Sequence, residues 1–243
     1  MLNVAPSAVL FDLDDTISNH MGCVRGGLDG VKVRYRELFD ETPIEEMERF
    51  YSEILEETHA QLLKGELNKD QARVLRTKRF FAHWGLTIDD AEADSEYLRY
   101  RADYDAAAGV VPGTYELIDA LESRDIRLGI ITNNLVAEQH TKLRELNLFD
   151  RFEMLAISEE VGVAKPDPLI FEVALERMNL DRSEVVVIGD SLTSDVAGAL
   201  SFGIPVVWLD RRNLGRAAAP AGVKAVIASD LSNTDEVLEA LLR

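Results

Sequence analysis

The stretch Ala8-Val9-Leu10-Phe11-Asp12-Leu13-Asp14-Asp15-Thr16 places an apolar run directly before two acidic residues that stand two positions apart. A short apolar run without strict alternation is typical of a parallel strand that is buried on both faces. Because side chains alternate along extended backbone, the carboxylates of Asp12 and Asp14 should point to the same side. Open α/β sheets bind ligands beyond the carboxyl ends of their strands, so we expect both carboxylates to face a crevice.

Five more apolar runs follow, and helical patterns separate them. The further strands are predicted at residues 128–131, 154–157, 185–188, 205–209 and 225–228. The helices are predicted at residues 115–123, 137–146, 168–178, 194–201 and 234–242. Alternating strands and helices indicate an α/β fold, a Rossmann-like parallel sheet with right-handed crossovers.

The alternation fails after the first strand, where residues 18–108 contain no convincing strand. Helices are predicted there at residues 30–39, 44–63, 69–84 and 91–104. A segment of this length is too long for a loop in a compact domain. We therefore predict a core made of residues 1–17 and 109–243, with residues 18–108 inserted as an α-helical cap domain that could act as a lid.

Charge and composition narrow the choice of partners. The chain has 26 basic and 44 acidic residues, a net charge of −18, which disfavours nucleic acid and anionic membranes. Cys23 is the single cysteine, which fits a reducing cytoplasmic location. We expect no signal peptide and no membrane span, and the sequence leaves open whether the protein is a monomer or a homodimer.

Asp12 and Asp14 fit a pair of catalytic carboxyl groups. A carboxylate can attack phosphorus and form an acyl phosphate. A second carboxyl group can protonate the leaving oxygen and later activate water. We assign Asp12 as nucleophile and Asp14 as general acid/base. The alternative is that both residues only shape a turn or cap a helix, for which aspartate is favoured.

Two later motifs offer groups that can hold a phosphate. Thr132 and Asn133 end the second predicted strand, where a hydroxyl and a backbone amide could bind phosphoryl oxygens, although both residue types also cap helices. Lys165 precedes Pro166-Asp167-Pro168 and a predicted helix. Its ammonium group could neutralise the phosphate and restrain Asp12, whereas a lone lysine is otherwise a solvated surface residue.

Asp190 and Asp195 follow the strand predicted at 185–188 and suggest a metal site. Two carboxylates about 4 Å apart repel by roughly 4 kcal/mol at an effective dielectric constant near 20. A cluster of Asp12, Asp14 and Asp190, which Asp195 could join, would therefore need a cation, and Mg²⁺ is the default for oxygen ligands and phosphate. Asp195 could equally be placed to favour a helix N-terminus, or do both.

These motifs, in this order, resemble those of the haloacid-dehalogenase-like hydrolase superfamily, in the subgroup with a helical cap after the first motif. The resemblance implies the roles above for Asp12, Asp14, Thr132, Lys165, Asp190 and Asp195. It also implies Mg²⁺ bound by Asp12, Asp190 and the backbone carbonyl of Asp14. The presence of Asp14 implies a phosphatase rather than a dehalogenase. The metal loop is similar to the branch of pyrimidine 5'-nucleotidases and N-acylneuraminate-9-phosphate phosphatases.

The sequence thus predicts a Mg²⁺-dependent phosphomonoester hydrolase that acts on a small-molecule phosphate ester, with a nucleoside monophosphate as the first choice. The alternatives are a sugar-phosphate phosphatase or a phosphomutase on the same core. A non-catalytic binding module is the third reading, which would be expected to lack at least one of the acidic residues or the lysine.

Overall fold

A computed structural model describes residues 5–242 of the chain. Within them, parallel strands form one six-stranded sheet in the order β3-β2-β1-β4-β5-β6. The strands are β1 (Ala8–Phe11), β2 (Arg127–Thr132), β3 (Met154–Ile157), β4 (Val185–Gly189), β5 (Val206–Asp210) and β6 (Ala225–Ala228). The predicted parallel α/β sheet is confirmed. The order reverses at β1, so the crevice between β1 and β4 is the topological switch point at which such sheets bind ligands.

Helices cover both faces of this sheet, as the buried strands require. They are α6 (Thr114–Glu122), α7 (Val136–Glu145), α8 (Ser158–Val161), α9 (Pro168–Met178), α10 (Ala197–Phe202) and α11 (Thr234–Leu242). Alternate residues of β1 enter two separate cores: Val9 and Phe11 join one apolar cluster, and Ala8 and Leu10 join the other. Burial on both faces explains why the strands lack a polar alternation.

The chain divides into two compact units. One comprises the chain up to Asn19 and from Val110 onward, and the other comprises His20–Gly109. The second unit is helical, with α1 (His20–Arg34), α2 (Arg36–Phe39), α3 (Ile44–Leu63), α4 (Lys69–His83) and α5 (Asp90–Ala106) around an apolar core of its own. No helix within residues 5–242 is long and apolar enough to cross a bilayer.

The beginning of the helical unit differs from the sequence-based expectation. A helix was expected from residue 30, but α1 already begins at His20. Glycine has a low helix propensity, so Gly26, Gly27 and Gly30 made the sequence of α1 look unlike a helix. In the structure a Cβ atom at these glycines would collide with side chains of α5 or with Ala107, which directly follows α5. The glycines therefore let α1 approach α5 closely. This packing stabilises the helix in the folded protein, but the helix propensity of the residues does not reveal it.

A short β-bridge connects the two segments of the sheet-containing unit that flank the helical unit in sequence. Ser18 pairs with Val110 in an isolated antiparallel bridge. The amide of Val111 donates to the carbonyl of Ile17 at 2.7 Å. The hydroxyl of Thr114 donates to the carbonyl of Val111 at 2.7 Å and so fixes the start of α6. The helical unit is thus inserted between two segments that are hydrogen-bonded to each other.

Candidate active site

Three adjacent strands bring the predicted site residues to one edge of the sheet. The register pairs Phe11 of β1 with Ile188 of β4 and with Ile130 of β2. The amide of Asp12 continues this pairing and donates to the carbonyl of Ile188 at 2.9 Å. Because neighbouring strands lie about 4.8 Å apart, residues just beyond their carboxyl ends are close together. The edge therefore gathers Asp12, Thr132 and Asp190.

Lys165 lies in the loop before α9 and extends into this edge. Its side chain is 3% exposed. The ammonium group lies 2.5 Å from Asp12 Oδ1 and 2.7 Å from Asp195 Oδ1, and it donates to the carbonyl of Ile131 at 2.6 Å. The ammonium thus donates hydrogen bonds to Asp12 and Ile131 and forms an ion pair with Asp195. Lys165 is a buried cation that restrains the Asp12 carboxylate, not a solvated surface lysine.

Asn133 fixes the backbone of that lysine. Its Oδ1 accepts from the amide of Lys165 at 2.7 Å, and its Nδ2 donates to the carbonyl of Lys165 at 2.9 Å. The side chain of Asn133 therefore acts on the lysine loop. Binding of phosphate by Asn133 stays a prediction that concerns its backbone amide.

Asp195 approaches the site through a widened helical turn. A helix was expected at residues 194–201, but residues Leu192–Val196 form a π-helical turn, and α10 follows it. Such turns are frequent at functional sites. The Oδ2 atom of Asp195 accepts from the amide of Ser191 at 3.0 Å, while a Cβ at Gly189 would collide with the Asp195 carboxyl group. The glycine of the Gly189-Asp190 motif is thus required for the close approach of Asp195.

Asp12, Asp190 and Asp195 form the candidate metal centre. Each offers a carboxylate oxygen, and the three oxygens lie within 4.8 Å of one another. Burial, together with repulsion from Asp195, raises the pKa of Asp12 to about 7 despite the opposing effect of Lys165. Burial and then the charges of Asp12 and Asp195 raise the pKa of Asp190 well above its ordinary value. Burial opposes the charged ammonium of Lys165, but the two carboxylates outweigh it and raise the pKa of Lys165.

This donor set fits a hard divalent cation. When ionised, three carboxylates beside one ammonium leave two negative charges without compensation. Oxygen donors of this kind are those that Mg²⁺ and Ca²⁺ prefer, and Mg²⁺ characteristically uses few carboxylates together with water and phosphate oxygens. The carboxylate of Asp14 does not belong to the group found among residues 5–242. Binding of metal by the Asp14 backbone carbonyl stays a prediction.

The carboxylate of Asp14 has surroundings that the sequence analysis did not identify. Lys142 of α7 forms an ion pair with Asp14 Oδ1. Gln139, one turn earlier on the same helix, donates from Nε2 to Asp14 Oδ2 at 3.0 Å. The same Nε2 donates to the hydroxyl of Thr132 at 2.7 Å. The only signal in the sequence was that Gln139 and Lys142 are three positions apart and so share one face of the helix. Polar residues with this spacing are just as common on a solvent-exposed face.

Comparison with known proteins assigns the family. Residues 6–203 match the family described as haloacid dehalogenase-like hydrolase. Over 212 residues the chain is 30% identical to ribulose-1,5-bisphosphate 5-phosphatase of Halopiger xanaduensis. This alignment covers 84% of each of the two chains. Over 101 residues it is 44% identical to pyrimidine 5'-nucleotidase YjjG of Escherichia coli K12, and that match covers 41% of this chain and 44% of YjjG.

Solved structures agree on the fold. The HAD-hydrolase YfnB from Bacillus subtilis, whose structure is described as bound to magnesium, aligns with a TM-score of 0.72 and 24% identity over 98% of this chain and 99% of that chain. The fold and the acidic strand-end site define a Rossmann-like α/β protein whose site fits a divalent cation. The chain belongs to the haloacid dehalogenase-like hydrolase family, and the resemblance predicted from its motifs is confirmed. The phosphatase and nucleotidase names among its relatives agree with the prediction of a phosphatase.

Proposed function

We propose that the protein is a Mg²⁺-dependent phosphomonoester hydrolase that acts through an aspartyl-phosphate intermediate. The observation that carries the proposal is the convergence of Asp12, Asp190 and Asp195 within 4.8 Å around the buried ammonium of Lys165. The buried excess of negative charge calls for a cation, and the relative YfnB is described as magnesium-bound. Bound there by the three aspartates, Mg²⁺ would supply positive charge that balances them and the phosphate oxygens.

The residues of the chain then have distinct roles in the two half-reactions. A carboxylate oxygen of Asp12 attacks phosphorus, while the bond between phosphorus and the ester oxygen breaks. The carboxyl group of Asp14 gives its proton to the departing alcohol, which leaves an acyl phosphate on Asp12 and a carboxylate on Asp14. Asp14 then removes a proton from water, whose oxygen attacks the same phosphorus and releases inorganic phosphate and the free Asp12 carboxylate.

Lys165 and Thr132 complete this arrangement. Lys165 keeps Asp12 in one orientation through the contact at 2.5 Å, and its positive charge favours the additional negative charge that phosphate brings. The hydroxyl of Thr132 stands at the end of β2, next to β1, and can donate to a phosphoryl oxygen. An anionic substrate could then bind to a protein of net charge −18, because Mg²⁺ would balance the two uncompensated carboxylate charges next to Lys165.

The substrate that we propose is a small phosphate ester, with a pyrimidine nucleoside monophosphate as the first choice. The support is the 44% identity to a protein named pyrimidine 5'-nucleotidase over 101 residues. Relatives are also named for ribulose bisphosphate and glyceraldehyde 3-phosphate, so sugar phosphates belong in the same test. We assign the choice of substrate to the inserted helical segment 18–108, because the catalytic groups of the other unit are common to all such esters.

The test is a screen for phosphate release with nucleotides, sugar phosphates and p-nitrophenyl phosphate, with Mg²⁺ or with EDTA. We expect activity only with Mg²⁺, and we expect Asp12→Asn to lower turnover by about 1,000-fold or more, since it removes the nucleophile. Circular dichroism should show that the variant is folded. Turnover in Asp12→Asn like that of the wild type would remove the assignment, as would full activity in EDTA.

A further inference from the structure

Gln139 is a buried polar residue for which the proposed reaction has so far no role. It is 0% exposed and belongs to α7, which begins at Val136 just after β2. Its backbone amide donates to the carbonyl of Leu135 at 3.1 Å, which makes the residue part of the first helical turn. A buried side-chain amide is costly unless it is hydrogen-bonded, so the partners of its NH₂ group are informative.

Both partners are residues to which we assign chemistry. Nε2 lies 3.0 Å from Asp14 Oδ2 and 2.7 Å from Thr132 Oγ1. An amide NH₂ has two hydrogens, and ionised Asp14 can only accept. One hydrogen therefore goes to Asp14, and the other goes to the Thr132 hydroxyl. Within the described structure, Gln139 links the general acid/base to the phosphate-binding hydroxyl.

The direction of the second hydrogen bond has a chemical consequence. A hydroxyl has one hydrogen to donate and can accept two. Because Thr132 accepts from Gln139, its own hydrogen is left to point elsewhere, as is needed for a bond to a phosphoryl oxygen. Because the same amide holds Asp14 Oδ2, it also limits rotation of the Asp14 carboxyl group. Lys142 forms an ion pair with the other oxygen of Asp14 and adds positive charge there.

We propose that Gln139 is a positioning residue that orients Asp14 for proton transfer and fixes the Thr132 hydroxyl as a donor to phosphate. The inference rests on the proposed function, since it assigns a task to residues of that reaction. It makes two separate claims, one about proton transfer and one about anion binding. Two variants of similar shape distinguish them: Gln139→Met removes both hydrogen bonds, and Gln139→Glu replaces the donor with an acceptor.

The first measurement compares two leaving groups in Gln139→Met. An alkyl phosphate needs a proton on its departing oxygen, whereas p-nitrophenolate leaves readily without one. We expect kcat/KM for the alkyl ester to fall by about 100-fold, the scale of general acid catalysis, and the fall for p-nitrophenyl phosphate to be much smaller. Equal losses for the two esters would overturn the claim about proton transfer, because they indicate a general structural defect.

The second measurement is calorimetric titration of Gln139→Glu with inorganic phosphate in the presence of Mg²⁺. The new carboxylate accepts the Thr132 hydrogen, so we expect phosphate affinity to fall by about 10-fold or more, the value of a hydrogen bond to a charged group. Thr141→Glu controls for the change in net charge, because it adds a carboxylate on the exposed side of α7. It should bind phosphate like the wild type.

The two measurements also separate this inference from the proposed function. Phosphate binding does not require turnover, so it is informative even if the wild type hydrolyses neither ester; that result would contradict the proposed function alone. Equal phosphate affinity in Gln139→Glu and the wild type would refute the assignment of Thr132 as a donor fixed by Gln139. A similar loss in Thr141→Glu would refute it too, since net charge would then explain the effect.

Discussion

The buried ammonium of Lys165 gives the sharpest prediction about stability. Its nitrogen lies 2.5 Å from Asp12 Oδ1 and 2.7 Å from Asp195 Oδ1, and its side chain is 3% exposed. At an effective dielectric constant of about 20, each contact represents roughly 6 kcal/mol of Coulomb attraction, which desolvation largely offsets. Removing one partner of a buried pair costs about 3–5 kcal/mol. Lys165→Met should therefore lower Tm in EDTA by roughly 6–20 °C.

The assay can be confined to the unit that carries the change. Trp84 and Trp208 are the two tryptophans of the chain, and only Trp208 belongs to the sheet-containing unit. Trp208 is 1% exposed, and its indole donates to the carbonyl of Asp190 at 2.8 Å. In a Trp84→Phe background, its fluorescence reports the unfolding of that unit alone. This matters because a chain with two units need not unfold in one step.

Two further variants make the result interpretable. Lys224→Met removes a half-buried lysine whose ammonium donates to the carbonyl of Leu241 at 2.7 Å, and it should cost far less. Adding Asp195→Asn to Lys165→Met removes one of the two buried carboxylates that have lost their ammonium partner. The double variant should regain about 1–3 kcal/mol of the free energy of unfolding. A loss below about 1 kcal/mol for Lys165→Met, or strictly additive effects in the double variant, would refute the electrostatic reasoning.

Two other predictions concern Gly189 and Asn133, which lie beside the site residues. Gly189→Ala should weaken Mg²⁺ binding by about 10-fold or more in calorimetry, because the added Cβ collides with the Asp195 carboxyl group; Gly109→Ala, whose Cβ meets open space, should bind like the wild type. Asn133→Ala should lower the free energy of unfolding by about 1–3 kcal/mol in urea, since it leaves the backbone of Lys165 without two hydrogen bonds. Unchanged affinity or stability in these variants would contradict the two assignments.

Much of the fold was predictable because the decisive signals are local. Each strand of the sheet is a short apolar run, and most motifs lie at the end of such a run, as Asp12 follows β1 and Asp190 follows β4. Lys165 is the exception, since it lies in the loop before α9. In a parallel sheet the carboxyl ends of the strands meet at one edge, so the gathering of these residues needed no knowledge of distances. The sequence order of the motifs was therefore enough to predict that Asp12, Asp190 and Asp195 lie together, whereas the Asp14 carboxylate pairs with Lys142 instead.

The parts that were missed depend on contacts between distant segments. Gln139 and Lys142 lie on a helix that is polar along much of its length, and only the tertiary fold places them beside Asp14. Residues 20–29 of α1 were missed because Gly26 and Gly27 are poor helix formers, although close packing against Ala107 and α5 requires them. In both cases the residue type has its usual local preference, solvent exposure for Gln139 and Lys142 and low helix propensity for the glycines, and tertiary contacts override it.

The bridge between Ser18 and Val110 bears on how new activities can be made from this protein. It connects the segments before and after the inserted helical unit of about 90 residues. The entropy of closing that long loop is thus countered by hydrogen bonds that belong to the catalytic unit itself. A different insert grafted between these two anchors would begin and finish in the same geometry. Under the proposed role of the insert in substrate choice, chimaeras joined at residues 18 and 110 would change substrate preference while the proposed catalytic residues are kept.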